Sequence, residues 1–404
     1  MGWRTVRGRV LAAAVVWLAV AAVVRVAVAA PEHCPAVDAP ALRAAAVEAV
    51  GWFDRNQAAD GTWLYRYDRA ADRDVGGYNT VRHAGVVMSL YQAHAAGLPD
   101  ALAGADAGTA YALDHLVAAN GGLAFEPSST RVTTGAAALL LAGLAERRAA
   151  TGDDVHDEVM AALGRFLVGQ TEGSGAVLEA WDRRTGAPVP GIYSPFFTGE
   201  AYWALALLHR EDPDGGWDEP AARIGHYLAT ERDAAEGHQP DVPDHWAAYG
   251  LATTAAWPER SGGSRPLTAA EAAYADRQAR LAGVQVRWES QRTDAWPNWW
   301  LRGRRTLGAG LGTLGEHLHG LWRVALVDER TAPLAAVLAE RGRCVGAMLV
   351  DRQVGPDEAA RFADPSRTRG AWFQFEVTQM DDQQHALSAL LFALDMLDAA
   401  EGPA

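Results

Sequence analysis

The chain is 404 residues long and carries 50 acidic against 36 basic residues, a formal net charge of -14. With a pI near 5.3, that balance excludes sequence-independent nucleic-acid binding as its role. The length admits one large domain or two or three ordinary ones, and it is ample for a sizeable core.

The first thirty residues read as a targeting segment. Arg4, Arg7 and Arg9 precede an uninterrupted apolar run from Val10 to Val24, Arg25 ends the run, and Ala27-Val28-Ala29 offers a small-x-small cleavage site. The run is short against the roughly 20 residues of a membrane span. Residues 1–30 are therefore expected to be either a signal peptide or a membrane anchor. In both cases the protein is extracytoplasmic, secreted or tethered to a membrane by its N-terminus. Pro31-Glu32-His33 before Cys34 lacks the small residues of a lipoprotein signal.

From residue 41 onward, helical periodicity comes in pairs. The first members are expected at 41–56, 107–119, 154–169, 218–231, 267–289 and 333–351. The second members begin near Asn79, Thr133, Ser194, Asp244 and Gly310, and last at 378–397; they are rich in alanine, glycine and leucine. Their starts lie roughly 50–70 residues apart, a period suited to helical hairpins with loops. Six outer and six inner helices in alternation predict an all-α (α/α)6 toroid over residues 35–400. Small residues suit inner helices that are packed on both sides. No run reads as a sheet, although Trp63, Tyr65 and Tyr67 alternate as a short rim strand would. Loops from outer to inner helices are long and aromatic, which makes that end of the ring the expected functional end.

Phe53, Gln57, Gly61 and Trp63 form F-x3-Q-x3-G-x-W, and FLVGQTEGSG at 166–175 is a degenerate copy. In this the chain resembles terpenoid-cyclase-type α/α toroids. The segments DGTWLYRYD, YNTVRHAG, YSPFFTGEAYWAL, DHWAAYGL and DDQQHALSALL span most of residues 50–395. They are similar to uncharacterised bacterial and archaeal toroid proteins likened to six-hairpin glycosidases. The resemblance implies the toroid fold. It leaves function open, because such toroids host cyclases, prenyltransferases, hydrolases, lyases, epimerases and binding proteins.

Several residues carry candidate chemistry. Asp381, Asp382 and His385 open the last inner helix; paired carboxylates raise one pKa and make a proton donor. Acids in a first turn also suit a helix N-terminus, and Thr378-x-x-Asp381 has capping-box spacing. Squalene-type cyclases use D-x-D-D as proton donor, and here Gln379 stands where the first Asp would be. Asn79, Arg82 and His83 share a helix face that continues into Val86 and Leu90, where Arg and His would meet a carboxylate or a developing negative charge. Glu200 sits on a stripe with Phe196, Phe197, Trp203 and Leu207. It needs a raised pKa or a buried partner such as Arg82 or Arg131. Asp244 follows Pro243 as an ordinary helix start, and His245 follows as a lining residue. Tyr193, Trp296, Trp299, Trp300 and Trp372 lie in the long loops, available either to stack on sugar rings or to pack the loops.

No Cys/His pair has metal-ligand spacing, and no nucleotide or nucleophile-elbow motif occurs, so neither metal nor cofactor is expected. In a closed ring Cys34 and Cys344 are close enough to bridge; the alternative is a buried free Cys344. The leading functional expectation is an exported carbohydrate-active protein on a cell-envelope or extracellular glycan: hydrolase, lyase or uronate epimerase-like. In it Glu200, Asp381, Asp382 and His385 act on the substrate. The alternatives are an isoprenoid- or lipid-handling toroid and a non-catalytic surface module.

Overall fold

The computed structural model describes residues 2–27, 30–236, 244–257, 267–293, 295–306 and 308–401. The expected cleavage site at Ala27-Val28-Ala29 extends outside the described residues, and the start signal Pro243 lies wholly outside them. Helix α1 is Gly2–Ala27. Within it Val6–Val26 is long and apolar enough to cross a membrane, and none of it is buried against the rest of the chain.

Six helical hairpins follow in chain order. The first pairs α2 (Ala39–Arg55) with α3 (Thr80–Ala95), the second α4 (Ala101–Asp114) with α5 (Thr134–Thr151), and the third α6 (Asp157–Gln170) with α7 (Phe197–Glu211). In the fourth, the short α9 (Arg232–Ala235) lies between α8 (Asp218–Thr230) and α10 (His245–Ala255). In the fifth, α12 (Trp296–Arg302) lies between α11 (Ala269–Ser290) and α13 (Ala309–Val327). In the last, α15 (Pro356–Ala359) and α16 (Pro365–Thr368) lie between α14 (Ala335–Arg352) and α17 (Met380–Glu401). Helices α3, α5, α7, α10, α13 and α17 each pack on the next, and α17 packs back on α3. The ring is closed, an (α/α)6 toroid.

The inner helices are buried nearly all round, as their composition requires. Residues 134–145 of α5 are buried without a break. Small residues set the spacing: a Cβ on Gly143 would stand 3.3 Å from the backbone of Met88, and one on Gly320 2.8 Å from the backbone of Ala248.

The F-x3-Q-x3-G-x-W segment is structural. Gln57 pairs with Trp63 across an isolated bridge, and its side-chain amide donates to Gly104 O at 2.9 Å. Gly61 has φ +88°, and a Cβ there would lie 2.3 Å from Ala107 O. Only glycine permits both the left-handed turn and this approach to α4. The degenerate copy repeats the device, for Gly175 (φ +102°) meets Arg223 O of α8 in the same way.

Three small sheets decorate the loops, where no sheet was expected. The rim strand is β1 (Arg66–Asp68), paired antiparallel with β2 (Arg73–Asp74) and with β8 (Val377–Gln379). The outer helix expected at 107–119 ends at Asp114. Its tail is β3 (Leu116–Ala119), paired with β4 (Gly122–Phe125). The Asn120-Gly121 turn between them has positive φ at both residues, the hairpin geometry that this dipeptide favours. Strands β5 (Arg131–Thr133), β6 (Ala180–Asp182) and β7 (Ala187–Pro188) form the third sheet. Because β8 takes residues 377–379, the last inner helix starts at Met380 and the expected Thr378 capping box does not form.

Cys34 and Cys344 are disulfide-bonded, with Cα atoms 5.1 Å apart. The bridge joins the segment before α2 to α14, and these two helices are neighbours in the closed ring.

Candidate active site

Each inner helix offers its first turn to the same end of the ring. Local chemistry fixes those starts. Asn79 accepts from Arg82 N at 3.0 Å and Asp244 from Ala247 N at 2.9 Å, so both are N-caps. Between these starts lies a cavity of about 440 Å³ lined by side chains of all six inner hairpins, among them Arg82, Phe196, Glu200, His245, Asp381 and His385. A larger opening of about 560 Å³ lies at the opposite end of the inner helices. Its histidine, His319, is stacked on Phe392 and tied to Asp395. Glu146, Arg210 and Arg323 line that opening as well. The first cavity is the one that gathers residues singled out from the sequence, Arg82, Glu200, His245, Asp381 and His385.

The organising residue is Glu316 of α13, fully buried. His385 Nδ1 donates to its Oε2 at 2.6 Å, and His245 Nε2 stands 3.6 Å from the same oxygen. On its other side His385 Nε2 is 3.6 Å from Asp381 Oδ1. Asp381 Oδ2 in turn lies 3.3 Å from Arg82 Nε. A carboxylate on each side favours the imidazolium. Burial alone would lower the His385 pKa, but the field and hydrogen bond of Glu316, with Asp381 behind, push it up to about 9. For Glu316 burial prevails over the pull of His385 and raises its pKa, so this pair holds its proton tightly between two buried groups. The His245 ring meets that of His385 at right angles, centroids 5.0 Å apart.

Glu200 enters from α7. It is 3% exposed, and its Oε2 has no hydrogen-bond partner. Burial, then the negative Asp244, raises its pKa well above the carboxylate range. Both favour its neutral acid form, and the carboxyl lines the cavity. Neither suggested arginine reaches it, since Arg82 is paired with Asp381 and Arg131 with Glu179. Room for it comes from Gly135 of α5, where a Cβ would fall 2.4 Å from Glu200 Oε2.

The remaining candidates lie elsewhere. Asp382 turns away from the cavity; its carboxylate accepts from Ala309 N at 2.9 Å and Gln379 N at 3.0 Å, fastening α17 to α13. Burial raises it to about 6. His83 points toward the outer helix α4 instead of the ring centre. It accepts from Tyr78 Oη at Nδ1 (2.6 Å) and donates from Nε2 to Gly108 O (2.8 Å), and burial lowers it to about 4. Asp244 is a cap and is also paired with Arg232, both 1% exposed. Tyr193 donates to Glu172 at 2.9 Å. Trp372 is fully buried, with its indole N–H on Leu349 O, so it packs a loop. Trp299 and Trp300 belong to α12, outside the cavity lining.

Glu316 and Arg232 escaped sequence reasoning. Glu316 gives the same signal as Glu200, an acid in a glycine- and leucine-rich inner helix, in LGTLGEHLHG. Arg232 gives none, because its partner lies beyond a loop. His245, Glu316 and His385 are also the group, among the described residues, whose ligand atoms lie within 4.8 Å of one another. Their donor set would take a divalent ion. Distance in sequence hid this cluster, since the three residues come from three helices.

No protein-family model matches the chain, and no curated protein matches its sequence. The fold has clear neighbours among solved structures. The cellobiose 2-epimerase of Spirochaeta thermophila is similar at TM-score 0.59 and 16% identity, covering 90% of this chain and 98% of that one. An unsaturated glucuronyl hydrolase specific for heparin gives 0.57 and 11%, covering 89% and 98%. A type II terpene cyclase from Scytonema gives 0.52 and 14%, covering 89% and 99%. The architecture is that of the six-hairpin glycosidase-like and terpenoid-cyclase-type α/α toroids.

Proposed function

We propose that the protein is a carbohydrate-active enzyme that moves a proton at the carbon beside a sugar carbonyl, an epimerase- or isomerase-type reaction on a reducing sugar. The observation that carries this reading is the His245–His385 pair, two imidazoles on one cavity and both within reach of buried Glu316. One imidazole removes the proton from the substrate carbon, and the other returns one from a different side. The neutral Glu200 carboxyl donates a hydrogen bond to the carbonyl oxygen as it gains charge, the role for which a raised carboxyl pKa is suited. Arg82 and Asp381 hold hydroxyls. The size suits a small sugar. The likeness to the epimerase fold supports this reading.

Glycosidic hydrolysis is the second reading, favoured by the raised pKa of Glu200 with Asp381 on the same cavity. Terpenoid-type protonation loses support because Gln379 occupies a donor position and instead accepts from Arg82 Nη1 at 3.1 Å. The disulfide and the apolar α1 support an extracytoplasmic location, and a glycan of that compartment is the proposed substrate source.

The test is a panel of reducing mono- and disaccharides, with products separated by chromatography. An epimer or ketose product, abolished in His245→Asn and His385→Asn while the thermal midpoint stays within a few degrees, supports proton transfer. Release of a monosaccharide from an oligosaccharide supports hydrolysis instead. Chelator belongs in the same assay. The proton-transfer reading expects no change with EDTA, whereas a loss reversed by zinc would assign His245, Glu316 and His385 to a metal.

A further inference from the structure

We propose that α12 is a membrane-docking element, and that it seats the open end of the ring on the lipid headgroups of the bilayer that α1 crosses. None of the seven residues of α12 is buried. Trp296, Trp300 and Leu301 are 69%, 72% and 66% exposed. Trp296 and Trp300 are four residues apart and share one helix face. Two indoles and a leucine left in water on one short helix ask for an apolar or interfacial partner.

The partner is named by what lies beside them. Arg302 of α12 donates to Val26 O, at the end of the apolar span. Gln291 donates to Ala30 O and Pro31 O, and Asn298 of α12 donates to Gln291 O. His33 N is bonded to Ser290, and Glu32 to Arg341. Cys34 is then locked to Cys344. Only residues 27–29 stand between the end of the span at Val26 and the residues so held to the ring. Four residues from Val26 to Ala30 reach at most about 14 Å. If Val6–Val26 crosses a bilayer, α12 must lie at its surface.

The side chains suit that place. Tryptophan prefers the membrane–water interface. Arg25 and Arg302 lie beside Asn298 of α12 and Arg304 lies over Trp299, in a chain whose net charge is -14, and arginines so placed favour anionic headgroups. Arg304 lies between Trp299 and Phe375, 5.2 and 4.8 Å from the ring centroids, which joins the patch to the loop before α17. Arg4, Arg7 and Arg9 lie at the N-terminal end of α1, ahead of the apolar run that starts at Val10, and orient it with the ring outside. The α11–α13 loop that carries α12 leads into Ala309 and Gly310 of the cavity lining. Docking through α12 therefore brings the cavity mouth to the headgroup layer.

The experiment uses the full chain in vesicles of phosphatidylcholine and phosphatidylglycerol, with brominated acyl chains as fluorescence quenchers. Trp3→Phe/Trp17→Phe serves as background, so that α1 itself is silent. The proposal expects quenching in that background, cut at least twofold by adding Trp296→Ser/Trp300→Ser, with near-ultraviolet circular dichroism unchanged. Equal quenching with and without the second pair overturns it. So does recovery of the exported chain as a soluble protein whose N-terminus begins after residue 29.

Discussion

At Glu200 burial, then the neighbouring Asp244 charge, raises the carboxyl pKa and favours the acid form. Glu200→Gln preserves shape and neutrality but removes the transferable proton. It is expected to leave the thermal midpoint within a couple of degrees and to lower turnover at least a hundredfold. Steady-state rates alongside calorimetry check this. Glu316 acts through His385, as a positioning residue. In Glu316→Gln the His385 pKa drops from about 9, so the alkaline limb of the pH–rate profile should move acidward by a unit or more. An unmoved limb would assign it to another group. The same pair has a stability consequence. The folded pKa of His385 exceeds the ordinary 6.5. Its contribution is thus fully present below pH 6.5 and is lost as pH rises through about 9. Melting scans from pH 6 to 10 should fall across that window in the wild type and stay flatter in His385→Asn. Residue patterns pointed to Glu200 because it interrupts an apolar helix stripe, and to Asp381, Asp382 and His385 because two carboxylates and a histidine open one helix. Of these Asp382 is turned to Ala309 and Gln379 instead. His83 gave the same signal as Glu200, yet Tyr78 of its own hairpin and Gly108 of α4 in the next one satisfy it. Burial alone does not distinguish a satisfied histidine from a functional one.

Between elements, the α5–α7 contact decides whether Glu200 can occupy its place. Gly135→Ala would press a methyl into Glu200 and Phe197, each within 2.5 Å of the new atom. A cost of about 1–3 kcal/mol is expected, together with a fall in activity from a displaced Glu200. Denaturant titration and turnover in the same variant measure both. Helix pairs were legible because apolar residues recur every three or four positions. Strand β3 was missed because its four residues continue the apolar pattern of α4. The turn signal Asn120-Gly121 stood immediately beyond the expected helix end. Likewise β8 displaced a capping box at Thr378, since pairing with β1 satisfies that backbone better than a first helical turn would. Short strands are set by partners far away in sequence, and local pattern does not carry that information.

For the molecule as a whole, ring closure is the organising fact: α17 packs on α3, β8 pairs with β1, and Cys34 bonds Cys344 across 310 residues of sequence. Loop-closure entropy for so long a separation is worth about 5 kcal/mol. Reduction, or Cys34→Ser/Cys344→Ser, should lower the thermal midpoint by several degrees without abolishing activity, because the bridge lies on the outer ring. The alternation of six pairs made the toroid readable from the chain. The cavity was readable only as separate candidates, since Glu200, His245 and Glu316 come singly from α7, α10 and α13, Asp381 and His385 come from α17, and only closure brings them together. The central claim is proton transfer between His245, His385 and a sugar carbon. It is tested most directly by incubating the protein with reducing sugars in deuterium oxide and following the C2 proton by NMR. The account predicts solvent deuterium at C2 in the wild type and none in His385→Asn. Turnover of a sugar with its C2 proton fully retained would contradict it.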